Sequence, residues 1–324
     1  MAKKKALTLS IVVPVYNEEE SVPELYNWIK KVTTKNQLSY EVIFIDDGST
    51  DTSWSVIKKL SSKSKEIRGI RFNRNFGKSA ALQTGFNAAV GEVVITMDAD
   101  LQDSPDEIPD LVRMIKEKGY DLVSGWKKKR HDPIGKTIPS KLFNKVTSWV
   151  SGISLHDFNC GLKAYRNDVV KNIEVYGEMH RYIPLIAKWN GFVKIGEKVV
   201  EHRARKYGKT KFGMKRLFTG FLDLLSVTFV SRFRKNPMHF FGILGTLFFL
   251  VGTGIALWII GDKLYNLAHQ LPVREVVDQP LFFLALVAII IGTQLFLAGF
   301  LAEMIIQVDH KKSDYLIIEK TGNA

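Results

Sequence analysis

The sequence is poor in cysteine and has a deficit of acidic residues. Its 324 residues include one cysteine, Cys160, which excludes a disulfide framework and a CxxC metal ribbon. We expect Cys160 to be a small buried side chain. Against 46 Lys and Arg stand 33 Asp and Glu, so the formal net charge is +13. A nucleic-acid binder would explain this charge, but much of it lies beside apolar segments and no recognition motif accompanies it.

Two glycine-rich phosphate-binding loops are also missing. The sequence contains no G-x-x-x-x-G-K-[ST], and no G-x-G-x-x-G follows the first predicted strand. Their absence argues against a kinase, an ATPase and a dehydrogenase. A nucleotide bound to this chain would therefore be held through a metal-bridged diphosphate.

Charge is lacking from two long apolar segments. Residues 237–261 and 281–302 contain no Asp, Glu, Lys or Arg, and each has the roughly 20 apolar residues that a spanning helix needs. Buried core helices are the alternative, but such helices normally carry a polar stripe. We therefore predict a region, 237–307, with two transmembrane helices at about 237–261 and 281–304 joined by an external linker.

Basic residues flank this region on both sides. By the positive-inside rule they place both termini in the cytosol and the linker outside. These residues are Arg232, Arg234, Lys235, His310, Lys311 and Lys312.

The segments on either side of the two apolar helices have patterns of their own. Residues 213–236 have apolar residues at helical spacing, which predicts an amphipathic helix in the membrane interface. An ordinary surface helix packed on the soluble domain is the alternative. Residues 308–324 form a predicted cytosolic tail with a short strand, Tyr315–Glu319, that could add to a sheet edge and would suit a homo-oligomer.

The soluble part, residues 1–212, alternates short apolar runs with helix-length segments. This pattern is typical of an α/β fold with a doubly wound, mostly parallel sheet. In such sheets ligands bind beyond the carboxyl ends of the strands. The predicted strands are Leu9–Val15, Glu41–Asp46, Ile67–Phe72, Val93–Asp98 and Leu122–Trp126.

Acidic residues follow the first, second and fourth of these strands, and they would repel one another without a cation or donors. Asp98, Asp100 and Gln102 are spaced by two, so in an extended segment they point the same way. Carboxylate and amide oxygens suit Mg²⁺ or Mn²⁺, which complete their shells with water and substrate phosphates. A D-x-D by itself is weak evidence; at a strand end, with the pair Asp46–Asp47 two strands earlier, it predicts a metal site.

Four motifs in this order resemble glycosyltransferase family 2, which has the GT-A fold. Within that family the chain is most similar to polyisoprenyl-phosphate glycosyltransferases, such as dolichyl-phosphate mannose synthase and the bactoprenol glucosyltransferases. The resemblance covers residues 7 to about 212, and the two-span tail matches the bacterial branch, which implies a bacterial inner membrane. The motifs are Pro14–Glu18, Asp46–Asp51, Arg74–Lys78 and Asp98–Pro105.

The resemblance implies a role for each matching residue. The metal and diphosphate would be held by Asp98, Asp100 and Gln102. Asp46 or Asp47 would meet the base or ribose, and which of them does so stays open. The nucleotide-sugar site would comprise Pro14, Tyr16, Asn17, Glu18, Asp46, Asp47, Lys78, Asp98 and Asp100. Catalysis would involve Asp157, Asp100, Arg203 and Arg205, and the acceptor phosphate would meet Arg203, Arg205, Lys209 and Lys211.

Several of these assignments have a structural alternative. Asp157 could cap a helix instead of orienting the acceptor or taking a residual proton. Thr210 stands where the family usually has Ser, which keeps the hydroxyl. The basic run Lys127–His131 could touch donor phosphate or anionic lipid, or be a solvated loop. Residues Gly135–Ser151 have helical spacing and could close over the donor.

The implied activity is that of an inverting, metal-dependent, membrane-bound hexosyltransferase. UDP-glucose and undecaprenyl phosphate are the favoured substrates, and a GDP-mannose-dependent synthase of the dolichyl-phosphate-mannose type is the alternative. A processive polysaccharide synthase would need a Q-x-x-R-W segment and more spans. A non-catalytic membrane-tethered protein that binds nucleotide-sugar would be expected to lose Asp98 or Asp100, and both are present.

Overall fold

The computed structural model of the chain describes residues 7–128, 144–145, 147–149, 151–177, 179–203, 206–207 and 237–309. For residues 306–309 it describes the backbone without the side chains. The chain divides into two compact units, Met1–Thr228 and Phe229–Ala324. The predicted interfacial helix over 213–236 and the predicted tail strand Tyr315–Glu319 lie outside the described residues. The domain boundaries drawn from the sequence therefore stay predictions.

One mixed sheet organises the first unit. Its strands are β1 (Leu9–Val15), β2 (Tyr40–Asp46), β3 (Ile67–Arg71), β4 (Val93–Thr96), β5 (Leu122–Trp126), β6 (Lys163–Arg166) and β7 (Ile195–Val199). They lie in the order β3-β2-β1-β4-β6-β5-β7, and β6 alone runs against its neighbours. The mostly parallel α/β sheet is confirmed, whereas the sequence did not predict β6 and β7.

Helices cover both faces of this sheet. They are α1 (Ser21–Lys35), α2 (Ser53–Lys63), α3 (Lys78–Ala88), α4 (Ile108–Lys116), α5 (Asn167–Asn172) and α6 (Ile183–Trp189). Side chains of α1, α2 and α4 pack in one apolar core, and those of α3, α5 and α6 pack in the other. Successive residues of β1 enter different cores, Ile11 and Val13 the first and Val12 the second. This is the doubly wound arrangement that the sequence predicts.

The second unit contains two long helices, α7 (Pro237–Ala268) and α8 (Pro280–Asp309). Both are long and apolar enough to cross a membrane by length and composition. Helix α7 runs seven residues past the end predicted at Gly261, because no residue of this added polar segment breaks the helix. Within it, Asn266 Nδ2 donates to Asp262 Oδ2 one turn away (3.1 Å).

The two long helices pack through small residues and expose large ones. A Cβ at Gly292 would lie 2.5 Å from the backbone nitrogen of Phe249 and 2.7 Å from the carbonyl oxygen of Gly245, so the backbones meet closely. Leu250 and Trp258 are exposed on the outside. Exposed apolar side chains do not fit a pair of buried core helices, the alternative raised by the sequence.

Candidate active site

The loops after β1 and β2 are joined by hydrogen bonds. The Asn17 backbone N–H donates to Ser49 Oγ (3.0 Å), and the Thr50 backbone N–H donates to Asn17 Oδ1 (2.8 Å). Glu18 donates its backbone N–H to Ser53 Oγ (2.8 Å). Asn17 has a φ of +57°, a left-handed conformation that Asn tolerates better than most residues. The loops that carry the first two motifs therefore form one rim, with Pro14 at the end of β1 and Tyr16 directly after it.

The acidic pair after β2 supports the neighbouring backbone. Asp47 accepts the backbone N–H groups of Phe76 (2.7 Å) and Gly77 (2.9 Å), one on each carboxylate oxygen. Burial raises the pKa of Asp47, against the lowering effect of these two donors. Asp46 is fully buried, accepts the Ser49 N–H (3.1 Å) and lies 3.0 Å from Arg71 Nε. Contact of either carboxylate with a base or ribose stays a prediction.

Asp98 follows β4 and is paired with Lys78, the first residue of α3. Lys78 Nζ donates to Asp98 Oδ1 at 2.5 Å. Burial raises the pKa of Asp98, but the charge and hydrogen bond of Lys78, with Lys127 and His180 further away, bring it down to about 2. Asp98 is therefore ionised at neutral pH. A Cβ at Gly161 would lie 2.4 Å from Asp98 Oδ2, so a larger residue there would displace this carboxylate.

The rest of the D-x-D loop is held against the segment before the basic motif. Asp100 is buried, and its Oδ1 accepts the Gln102 backbone N–H (3.2 Å). Arg203 donates its backbone N–H to the Gln102 carbonyl (3.0 Å), and Gln102 Nε2 donates to the Arg203 carbonyl (3.4 Å). The structure thus brings the predicted metal residues beside the first predicted acceptor-binding residue, although 101 positions separate Gln102 from Arg203.

Asp103 and Lys127 form a buried ion pair that the sequence did not predict. Lys127 Nζ lies 2.7 Å from Asp103 Oδ1, and the Asp103 side chain is fully buried. Burial lowers the pKa of Lys127, but the adjacent Asp103 carboxylate outweighs it and raises the pKa. The first residue of the basic run is thus the ion-pair partner of Asp103, with its own side chain 14% exposed. Residues 129–131 of that run lie outside the described residues.

Asp157 is buried, and its Oδ1 accepts the backbone N–H of Asn159 (3.0 Å). Ser124 Oγ donates to the Asp157 carbonyl (3.1 Å), which fixes this turn to β5. The neighbouring Cys160 is buried as expected, and burial raises its pKa to about 12, so its thiol is inert at neutral pH. A catalytic part for Asp157 stays a prediction.

The segment that follows β7 is docked on α1. The Arg203 guanidinium lies 4.3 Å from the Trp28 ring centroid, with its Nε 3.3 Å from Glu201 Oε1. Lys206 Nζ lies 2.8 Å from Glu24 Oε2. Arg203 is thus held by a ring and a carboxylate. The other predicted phosphate-binding residues, Arg205, Lys209 and Lys211, lie outside the described residues.

No three His, Cys, Asp or Glu side chains of the described ranges come together as a preformed metal centre. Asp98 and Asp100, with the amide oxygen of Gln102, supply a donor set of hard oxygens, the kind that Mg²⁺ and Mn²⁺ prefer. The residues therefore fit a hard divalent ion that takes its remaining ligands from water and a diphosphate.

Known proteins are similar to this chain in sequence. Residues 10–174 match the family model described as glycosyl transferase family 2. The chain is 36% identical to the dodecaprenyl-phosphate galacturonate synthase of Rhizobium johnstonii, over 97% of this chain and 93% of that protein. It is 37% identical to the undecaprenyl-phosphate 4-deoxy-4-formamido-L-arabinose transferase of Shewanella sediminis, over 75% of each chain.

Solved structures resemble the first unit in fold. Glucosyl-3-phosphoglycerate synthase of Mycobacterium tuberculosis, in complex with UDP, superposes with a TM-score of 0.54 at 20% identity, over 69% of this chain and 79% of that one. The same protein with Mn²⁺, UDP and phosphoglyceric acid gives a TM-score of 0.52 at 21% identity, over 69% and 78%. At this identity the likeness shows a shared fold.

Proposed function

The chain belongs to glycosyl transferase family 2, and we propose that it transfers a sugar from a nucleotide-sugar to a polyisoprenyl phosphate at a membrane. The carrying observation is that the Asp98–Gln102 loop, at the carboxyl end of β4, is hydrogen-bonded to the segment that begins the basic motif. This contact supports the proposal, because it joins a residue proposed to bind the donor side to one proposed to bind the acceptor phosphate. The similarity to a dodecaprenyl-phosphate sugar synthase extends through the two apolar helices and supports a lipid acceptor.

The proposed substrates are a nucleotide-sugar donor and a lipid phosphate acceptor. We take a UDP-sugar as donor and undecaprenyl phosphate as acceptor. The sequence favours glucose as the sugar, with GDP-mannose second, yet neither relative described above has glucose or mannose in its name. Those names carry galacturonate and a formamido-arabinose, so the sugar is better sought among modified and acidic ones.

Asp98, Asp100 and Gln102 are the residues that would hold a divalent ion, Mg²⁺ or Mn²⁺. When bound, such an ion neutralises charge on the leaving diphosphate. The chain's own contribution is to keep Asp98 ionised through Lys78 and to fix Asp100 through the Gln102 N–H. Both carboxylates are thus set before substrate arrives.

The reaction is a single displacement at the anomeric carbon of the donor sugar. A phosphate oxygen of the acceptor forms the new bond to that carbon while the bond to the diphosphate oxygen breaks, which inverts the anomeric configuration. The acceptor's second pKa lies near 6 by analogy with other phosphomonoesters, so at pH 7 it is mostly a dianion that needs little deprotonation. Asp157 would therefore orient the acceptor or the sugar, or take a residual proton.

Two anions must approach each other in this reaction, and positive side chains would reduce their repulsion. Arg203, Arg205, Lys209 and Lys211 are proposed to hold the acceptor phosphate. Since Trp28 and Glu201 hold Arg203, its guanidinium would have to share its donors with the phosphate.

The protein is proposed to be an integral membrane protein of the bacterial inner membrane, with α7 and α8 as its two spans. Basic residues flank the two helices in the sequence, so both termini and the first unit would face the cytosol, where nucleotide-sugars are made.

The full chain in lipid nanodiscs tests this function. Labelled nucleotide-sugars are offered with undecaprenyl phosphate and Mg²⁺ or Mn²⁺, and labelled lipid is counted. We expect one donor to be used, and we expect Asp100→Ala to lower turnover at least about 100-fold, because charge on the leaving diphosphate is no longer neutralised.

Asp110→Ala is the matched control, since Asp110 is a half-exposed carboxylate on α4 outside the site, and its turnover should equal that of the unchanged chain. Unchanged turnover in Asp100→Ala would remove the metal assignment. Donor binding without transfer from any donor would support the non-catalytic alternative.

A further inference from the structure

Three buried polar side chains lie side by side across three strands of the sheet. Thr96 ends β4, Lys163 begins β6, and Ser124 lies within β5. Lys163 is the register partner of Thr96 on one side and of Ser124 on the other. Because residues that are paired in this way point to the same face of a sheet, the three form one row, which we call the polar row.

Each member of the polar row donates a hydrogen bond to a backbone carbonyl of one short segment, residues 157–161, which we call the Asp157 turn. The bonds run from Thr96 Oγ1 to Gly161 (2.9 Å), from Ser124 Oγ to Asp157 (3.1 Å) and from Lys163 Nζ to Cys160. Three strands thus hold the same turn through their side chains.

The Asp157 turn connects two carboxylates of the proposed reaction. Its first residue, Asp157, is buried, and its Oδ1 accepts the Asn159 N–H within the turn (3.0 Å). At its other end, a Cβ on Gly161 would lie 2.4 Å from Asp98 Oδ2. The position of this turn therefore determines where Asp157 lies relative to Asp98.

A buried lysine is an unfavourable way to bind one carbonyl, because an ammonium loses its hydration when it is buried. Burial accordingly lowers the pKa of Lys163, and Lys78 lowers it further, whereas the carboxylates of Asp157 and Asp98 act in the opposite direction. A hydroxyl, as in the other two members of the row, would make the same bond without this cost. The lysine is therefore explained by the two carboxylates that act on it.

We propose that the polar row positions the Asp157 turn for sugar transfer, with Lys163 as the central positioning residue. The inference rests on the proposed function, in which Asp98 holds the donor diphosphate and Asp157 orients the acceptor or the sugar. The row acts through the turn, and substrate contact is left to the two carboxylates.

Kinetics with and without the carboxylate at position 157 test this role, in the full chain in nanodiscs with undecaprenyl phosphate and the donor that it uses. Lys163→Met should lower kcat about 10- to 100-fold, the effect of a small displacement of a positioned group. The KM for the donor should stay within about 2-fold, since the effect is on the transition state. In a chain that carries Asp157→Asn, Lys163→Met should lower kcat by no more than about 2-fold, because the group that it positions is gone.

Thr96→Val removes one donor of the row and keeps a side chain of nearly the same shape. We expect kcat to fall about 3- to 10-fold, since one neutral hydrogen bond is lost, and we expect this loss to vanish in the Asp157→Asn chain. Thr33→Val is the matched control, because Thr33 is also buried and its Oγ1 donates to the Ile29 carbonyl of α1 (2.8 Å). Its kcat should equal that of the unchanged chain. Thermal unfolding gives the folded fraction of each variant, and kcat is expressed per folded molecule.

Three results would overturn the proposal. The first is a lower melting temperature with unaltered kcat per folded molecule, which would make the row a purely structural feature. The second is an equal loss of kcat with and without the Asp157 carboxylate. The third is an Asp157→Asn chain with unaltered kcat, which would leave the row nothing to position. If Lys163→Met does not fold, Thr96→Val decides. Absence of transfer from every donor by the unchanged chain would contradict the proposed function, and this inference with it.

Discussion

The two units of this chain bury opposite kinds of side chains. In Met1–Thr228 the interior holds aromatic residues such as Phe86 and Tyr165 and the ion pair of Asp103 with Lys127. In Phe229–Ala324 the interior holds glycines, while large apolar side chains such as Leu250 are exposed. In water the burial of apolar area is favourable in free energy. In lipid there is no such gain, and helices associate through close packing of small residues. Each unit is thus built for a different solvent.

The buried ion pair of the first unit gives the sharpest test of this contrast. Lys127→Met leaves Asp103 buried without its partner, so the free energy of unfolding should fall by about 3–5 kcal/mol. Denaturant titration of the full chain in detergent measures it. The neighbouring Lys128→Met should change the free energy by no more than about 0.5 kcal/mol, since Lys128 is exposed. Equal effects of the two variants would mean that the pair does not stabilise the unit.

The same substitution on the surface of each unit should have different consequences. Leu250→Lys places a charge at the middle of α7 and should disfavour membrane insertion by about 3 kcal/mol. Val193→Lys, at a similarly exposed apolar residue of the first unit, should change the free energy of unfolding by no more than about 0.5 kcal/mol. Membrane fractionation measures the insertion of Leu250→Lys, and denaturant titration measures the free energy of unfolding of Val193→Lys. Normal insertion of Leu250→Lys would show that α7 does not span the bilayer.

We expect a smaller effect on the stability of the first unit when the pH is lowered. The pKa of Asp98, about 2, lies below its ordinary value of 3.8. Its stabilising contribution is therefore complete above about pH 4 and is lost as the pH falls toward 2. In Lys78→Met the pKa of Asp98 should rise toward its ordinary value, so the loss of stability between about pH 4 and pH 2 should become smaller. Melting temperatures between pH 2 and 5 measure it, with Lys58→Met, at an exposed lysine of α2, as control. Identical profiles would contradict the coupling.

The parts of the fold that the sequence revealed are those with strong local signals. The apolar runs of β1, β2 and β5 were predictable because parallel strands are buried on both faces. In contrast, β6 is four residues long with Lys163 and Arg166 at its ends, and the edge strand β7 contains Glu197 and Lys198. Neither offers an apolar run, so tertiary pairing determines them.

The site shows the same limit. The D-x-D loop was predictable because its residues are adjacent and follow a strand. The pairing of Lys78 with Asp98, and of Lys127 with Asp103, joins residues from different elements, and nothing local indicates such partners. The buried side chain of Lys163 was missed for the same reason, since it lies on a strand that the sequence did not predict.

The bonded rim formed by the loops after β1 and β2 has a consequence for the proposed capture of the donor. Asn17, Ser49 and Thr50 hold one another through hydrogen bonds within the chain. The conformational entropy of these loops is therefore lost during folding, and binding need not order them again. Under the proposed function, a preorganised rim of this kind would favour lock-and-key binding of the base. Weakening it should lower the equilibrium affinity for the donor, because binding would then have to order these loops.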